Sequence, residues 1–257
     1  MTCNRLSGSA IDYRHLALQS CGSTNDECMK AASVGDPGRL WVTTEVQTSG
    51  KGSRGRQWES QFGNLFASLL LVDPCKNDNL SELTFVAAVA VGRTLVACMG
   101  ETTQADIRYK WPNDVLINGK KVSGILLETR HQENPYVVIG IGINCTHHPK
   151  NTSYPATSLL TEGISVAPEK IFKTLANQMA DTITKWQRGA NFDWVREAWL
   201  EKAGGLGETI SVRLENRAPV VGKFENIDDK GFLLLRLAGG NLTKISVGDV
   251  FFREKHI

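Results

Sequence analysis

The chain has 257 residues, 41% apolar and 22% charged, and its 29 Lys and Arg against 27 Asp and Glu give a formal charge of +2. That length supports one large domain, or a medium domain with a small one, and so even a charge supplies no global field to draw the protein onto nucleic acid or an anionic membrane. The longest apolar runs, such as residues 65–72, are too short to cross a bilayer and the polar start is not a secretory signal, which predicts a cytoplasmic protein. Six cysteines, at positions 3, 21, 28, 75, 98 and 145, are scattered without a C-x-x-C pair and read as reduced thiols. Cys145 lies close to His147 and His148 but lacks the second ligand cluster of structural zinc. The N-x-[ST] matches at Asn79, Asn144, Asn151 and Asn241 are expected to stay unglycosylated in a cytoplasmic protein.

After a short irregular lead, residues 23–27 (STNDE) offer overlapping capping boxes, Ser23 with Asp26 and Thr24 with Glu27, and predict a helix that starts there and ends near Gly35. Residues 40–46 are rich in β-branched side chains and 65–72 form a short apolar run, so both read as strands. Between them, at 47–58, lies QTSGKGSRGRQW, in which Gly50, Gly52 and Gly55 alternate with Lys51, Arg54 and Arg56. Glycine lets successive backbone N–H groups approach a ligand, and the cations supply the charge that a phosphate or carboxylate needs. The loop reads as an anion cradle, although a solvated basic turn or a contact for single-stranded nucleic acid has the same composition.

From 81 to 99, apolar residues fall on most faces of a predicted helix, which suits a buried core helix. Residues 107–111 and 115–117 read as strands, Asn118-Gly119 as a hairpin turn, and 121–128 as the returning strand. Gly124 interrupts that strand, and Gly140 and Gly142 interrupt the next, at 136–144. Glycine inside a strand marks a bulge or the close approach of a ligand or another backbone, so these gaps predict one concave, ligand-lined sheet. Residues 146–154 read as a loop, Pro168 as the first residue of an amphipathic helix reaching Trp186, and a further helix carries Trp194 and Trp199. Beyond Gly204-Gly205, strands at 209–214, 220–226, 232–237, 244–246 and 250–253 predict a small β-barrel from about residue 207 to the end.

In order and spacing, GSTN at 22–25, the basic glycine loop, KWPND at 110–114, KVSGIL at 121–126 and GIGIN at 140–144 resemble biotin protein ligase over about residues 13–253. Some relatives carry an N-terminal helix-turn-helix domain and repress biotin synthesis; about a dozen residues precede the catalytic region here, too few for one, so a monofunctional ligase is expected. The resemblance implies an α+β fold: a mixed central sheet with flanking helices, like class II aminoacyl-tRNA synthetases, over residues 1–206, and a small SH3-like β-barrel over 207–257. It implies an enzyme that joins biotin to ATP as biotinyl-5′-AMP, with Mg²⁺ on the phosphates, and passes biotin to a lysine of the carrier domain of a biotin-dependent carboxylase. Homodimers through exposed sheet edges are common in this family.

Residue by residue, the resemblance implies that Ser23, Thr24, Asn25 and Gln47 hold the polar head of biotin, whose ureido group has both donors and an acceptor. Gly50, Lys51, Gly52, Ser53 and Gly124 complete the biotin site, and Trp58 covers it. Lys121 is the essential lysine near the carboxylate and α-phosphate, with Arg54 as its catalytic partner. Lys51, Arg54 and Arg56 offset phosphate charge, while Asn113, Asp114 and Asn144 lie near the nucleotide, with Mg²⁺ near Asp114. Each role has a plainer rival: helix capping for Ser23 and Thr24, strand initiation for Asp114, packing for Trp58, an exposed hairpin lysine for Lys121. Side chains alternate along a strand, so one of Lys120 and Lys121 faces the pocket, and Lys121 is expected to be the one. The family loop commonly reads GRGRRGR; Lys51 and Ser53 replace two of its arginines, which predicts faster loss of the adenylate. A lipoate or octanoyl transferase of the same superfamily, a nucleic-acid binding module and a catalytically silent small-ligand binder are the competing readings.

Overall fold

The computed structural model describes residues 4–6, 13–99, 104–130, 135–152, 154–215 and 217–252. Eight strands form the main sheet: β1 (Asn4–Leu6), β2 (Tyr13–Cys21), β3 (Leu40–Gln47), β4 (Leu65–Val72), β5 (Ile107–Lys110), β6 (Asp114–Ile117), β7 (Lys120–Arg130) and β8 (Tyr136–Ile143). Their spatial order is β1-β2-β3-β4-β8-β7-β6-β5. β2 and β3 are parallel, so the chain must cross over between them, and helix α1 (Thr24–Ser33) makes that crossing. The remaining pairs are antiparallel, and the turn between β6 and β7 has Asn118 at φ 50° and Gly119 at φ 75°, the two left-handed positions that an Asn-Gly hairpin favours.

Strand alternation divides the sheet into two unlike faces. Leu65, Ala67, Leu69 and Leu71 of β4 and Val137, Ile139, Ile141 and Ile143 of β8 point into one core with helices α2 (Glu82–Cys98), α3 (Pro168–Trp186) and α4 (Phe192–Leu200). Burying each such aliphatic side chain contributes about 1.5–3 kcal/mol. On the opposite face Leu70, Tyr136 and Val138 pack with Cys28 of α1, and beyond them the same rows run on to Ser68, Gly140 and Gly142. The functional face is therefore the one that α1 covers only in part.

The segment at 13–21, expected to be an irregular lead, is a nine-residue strand. It carries one fully buried residue, Tyr13, and is otherwise half-buried or exposed, so it lacks the hydrophobic alternation by which a strand is recognised. The expected cysteine at position 3 and the last expected strand residue, Arg253, lie outside the described residues.

The chain then forms five antiparallel strands, β9 (Thr209–Arg213), β10 (Val220–Ile227), β11 (Leu233–Arg236), β12 (Leu242–Ile245) and β13 (Asp249–Phe252), in the order β12-β11-β10-β9-β13, an SH3-like arrangement. Its inner residues Ile210, Val212, Phe224, Leu233 and Leu235 join the core of the main sheet. Trp199 of α4 is the bridge, with its ring 5.4 Å from Phe85 and 6.5 Å from Phe224. The connection is also tied to β5, since Tyr109 N–H donates to Lys202 O at 2.8 Å and Gly204 N–H donates to Tyr109 O at 2.7 Å. No described helix is long and apolar enough to cross a membrane.

Candidate active site

In the GIGIN run the isoleucines face the helical core, so the glycines necessarily face the other way. The bare strip they leave is filled by the protein itself. A Cβ on Gly140 would stand 2.3 Å from Asn25 Oδ1, one on Gly142 2.5 Å from the indole of Trp58, and one on Gly124 2.8 Å from the same indole. These glycines lie along the wall of a pocket and at the same time seat Asn25 and Trp58. Its walls include Ser23, Thr24, Asn25, Gln47, Lys51, Gly52, Ser53, Trp58, Asn113, Lys121 and Gly124.

The start of α1 forms the polar wall. Ser23 is the N-cap residue and is buried, but its side chain makes no capping bond. The expected capping boxes do not form because their acids are engaged elsewhere: Asp26 pairs with Lys51, and Glu27 pairs with Lys30 at 2.6 Å. Thr24 instead donates through both N–H (2.9 Å) and Oγ1 (3.1 Å) to Gln47 Oε1. Gln47 Nε2 donates to Ser60 Oγ at 3.0 Å, and Ser60 Oγ donates to Trp58 O at 3.0 Å, which links the head of α1 to the loop. Asn25 Nδ2 donates to Glu128 Oε2 at 2.7 Å, while Ser68 Oγ lies 2.6 Å from Asn25 Oδ1 and 2.7 Å from Thr24 Oγ1.

At the other end of the pocket three charges meet. Lys121 Nζ lies 2.5 Å from Asp114 Oδ1, and Lys110 Nζ lies 3.1 Å from Asp114 Oδ2. Lys120 points away, to Glu162 at 3.4 Å, and a bulge in the β6–β7 pairing puts Lys121 on the pocket face with Gly124 despite their odd spacing. Burial alone would raise the Asp114 carboxyl; the adjacent Lys121 and Lys110 charges outweigh it and hold the group below the usual carboxylate range. Burial lowers Lys110, against the pull of Asp114, and its ammonium also sits 3.8 Å from the ring centre of Tyr154. Two lysines on one carboxylate leave a net positive charge in a partly desolvated wall, where it acts strongly.

A second pocket continues from the first. Gly52, Ser53, Trp58 and Lys121 line both. The second adds Arg56, Lys110, Asp114, Asn144 and Tyr154, with Asp249 and Phe251 from the smaller sheet. Asn113 belongs to the first pocket rather than the second, and its Nδ2 donates to Ile125 O at 2.6 Å. Asn144 is buried, with Nδ2 donating to Thr157 O at 3.0 Å.

The glycine loop folds on itself, with Gly52 N–H donating to Arg56 O at 2.7 Å. Gly50 is required by that fold, because a Cβ would stand 2.5 Å from Ser60 Oγ and 2.6 Å from Trp58 O. Its cations are held by carboxylates: Lys51 by Asp26, Arg54 by Asp249 at 2.7 Å, and Arg56 by Asp249 at 3.4 Å and by Ser53 Oγ at 2.7 Å. Lys51 and Arg56 still border the pockets, whereas Arg54 borders neither of these two. Sequence reasoning missed Ser68, Glu128, Lys110, Tyr154 and Asp249. Ser68, alone among apolar neighbours, and Glu128, on the face of Gly124, had a readable signal; Asp249 had none.

Residues 23–144 match the Biotin/lipoate A/B protein ligase family and residues 205–253 match the Biotin protein ligase C terminal domain. The chain is 38% identical over 246 residues to the Biotin--[acetyl-CoA-carboxylase] ligase of Paracoccus denitrificans, covering 91% of this chain and 99% of that protein. It is 33% identical over 254 residues to the ligase of the same name from Mycobacterium tuberculosis, covering 96% and 92%. The solved structure of Biotin protein ligase from Aquifex aeolicus in complex with biotin and ATP superposes with a TM-score of 0.77 at 27% identity, over 93% of this chain and 98% of that one.

Proposed function

The chain belongs to the family of biotin protein ligases, and on that premise we propose how its two joined pockets activate biotin with ATP and pass it to a lysine of a biotin carboxyl carrier domain. The carrying observation is that both pockets share Lys121. Biotin occupies the first pocket with its ureido group against Ser23, Thr24, Asn25 and Gln47 and its carboxylate toward Lys121. ATP occupies the second with its α-phosphate toward the same ammonium, Arg56 and Lys51 near the phosphates, and Asn144 near the nucleoside. A lipoyl or octanoyl tail offers no donors or acceptors to the Thr24–Gln47–Asn25 network, which favours biotin over those acids.

In the first step a biotin carboxylate oxygen attacks the α-phosphorus, an O–P bond forms, and the bond to the β-phosphate oxygen breaks to release pyrophosphate. Both reactants are anions: two unit charges about 4 Å apart repel by about 4 kcal/mol at an effective dielectric of 20, which an ammonium held between them offsets. Asp114 keeps Lys121 in place, and Lys110 keeps Asp114 from neutralising it. Trp58 covers the mixed anhydride and slows its hydrolysis. In the second step a carrier amine attacks the acyl carbon and AMP leaves with the C–O bond electrons.

Mg²⁺ belongs to the proposal as a companion of the triphosphate. Asp114 lines the second pocket, but both its oxygens face lysines, so the phosphates and water would supply most of the ligands; the ion would add charge neutralisation. Residues 1–206 make the biotin and ATP unit, and 207–257 close one wall of the nucleotide pocket through Asp249 and Phe251. The test is incubation with ATP, Mg²⁺, a carrier domain and either biotin, lipoate or octanoate, read by the mass of the carrier. Modification by biotin alone is expected; modification by another acid, or none, refutes the reading.

A further inference from the structure

We infer that Ser68, which lies outside every motif of the sequence, is a positioning residue that sets the direction of the Thr24 hydroxyl and the Asn25 amide and through them the affinity of the first pocket for its acid. The inference rests on the biotin reading of that pocket. In β4, LFASLLLV, Ser68 is the only polar side chain, and it is fully buried. An alanine would suit this strand equally well, as Ala67 beside it does, and a buried hydroxyl is tolerated only when hydrogen-bonded. Ser68 also pairs in register with Gly140, whose missing side chain makes the room that Asn25 occupies. Strand alternation therefore brings a lone hydroxyl and the two ligand-facing residues together below the pocket.

Asn25 Oδ1 and Gln47 Oε1 accept only, whereas Ser68 and Thr24 each hold one hydroxyl hydrogen. Ser68 Oγ is within 2.7 Å of both Thr24 Oγ1 and Asn25 Oδ1 and is the donor in each contact. The Thr24 hydroxyl donates to Gln47 Oε1, so the one Ser68 hydrogen serves both of its neighbours, donated to Asn25 Oδ1 or to Thr24 Oγ1. Gln47 Oε1 accepts from both the N–H and the hydroxyl of Thr24, which leaves a Thr24 lone pair as an acceptor for a ligand N–H. With Glu128 taking one Nδ2 hydrogen, the Asn25 amide is fixed at both ends. Without the Ser68 hydroxyl, Asn25 Oδ1 and Thr24 Oγ1 both lose the donor that fixes them.

The test uses the full chain and reads biotin affinity by titration calorimetry, the KM for ATP and the kcat at saturating biotin from pyrophosphate release, and the melting temperature. Ser68→Ala is expected to weaken biotin about 5- to 150-fold, with the ATP KM and the saturated kcat within twofold of wild type. Ser68→Cys, which refills the space with a weaker donor, is expected to fall between the two and covers the case of an unstable alanine variant. In a Thr24→Val background the same replacement should cost much less, because the two hydroxyls act as one unit. A biotin affinity within twofold of wild type, additive effects with Thr24→Val, or an equal loss of ATP affinity overturns the proposal. A wild-type chain that does not bind biotin refutes the pocket reading instead.

Discussion

Replacing Gly142 by alanine tests whether the sheet seats the cover of the pocket. The added Cβ would stand 2.5–2.7 Å from three atoms of the Trp58 indole, against about 3.5–4.0 Å for an ordinary carbon contact. The strand cannot move away, because Gly142 pairs with Phe66 on one side and Gly124 on the other. The indole must therefore leave its seat. Trp58 is half-buried, so roughly 100 Å² of ring surface returns to water, at about 25 cal/mol/Å² a loss of about 2–3 kcal/mol. Biotinyl-5′-AMP formed on the enzyme should then escape about 30- to 150-fold faster, as followed by chasing labelled adenylate with unlabelled biotin. Gly22→Ala is the control, since no atom lies within 4 Å of its added Cβ. A Gly142→Ala enzyme that retains the adenylate as long as wild type refutes this account of Trp58, and so does a further loss of similar size from Trp58→Ala in the same background.

Lys121→Ala should reduce pyrophosphate release by on the order of 10²-fold or more while ATP-independent biotin binding largely persists; near-normal adenylation would remove Lys121 from the reaction. Lys51→Arg, which restores a planar fork that can hold an anion bidentately, should slow adenylate escape severalfold, and an unchanged off-rate would discount this position. Glu82 predicts a pH effect on stability: burial raises its carboxyl from 4.5 to about 7, partly opposed by the Trp186 Nε1–H that donates to it. Between those two values the unfolded chain holds fewer protons than the folded one, so stability falls as pH rises through the window, by up to about 3 kcal/mol. Glu82→Gln should therefore be more stable than wild type in urea at pH 8 and lose that advantage near pH 4; an advantage equal at both pH values would refute the shift.

Most elements were legible because their signals are local. Pro168 opens α3 as expected, and the apolar run at 65–72 is β4. β2 was not, because a strand near the sheet edge buries little and needs no alternation. Alternation said that one of Lys120 and Lys121 faces the pocket but not which, because a bulge shifts the register between them and Gly124. The capping boxes at 23–27 marked the start of α1, but the capping bonds do not form: Lys51, twenty-five residues from Asp26, takes that acid, and no local pattern carries that information. The glycines of β7 and β8 correctly marked a close approach, but a gap in a strand does not say whether ligand, indole or amide fills it. Asp249 meets the glycine loop across 195 residues of chain, a contact set by how the two sheets pack.

Trp199 has a consequence for how the molecule comes apart. Its ring faces Phe85 on α2 and Phe224 on β10, inside an apolar core that continues from one sheet into the other. Two segments that match separate families are thus not separate melting units. Heat or denaturant should take both in one cooperative transition, and a fragment ending at residue 206 would expose that tryptophan's far side and aggregate instead of working as a smaller ligase.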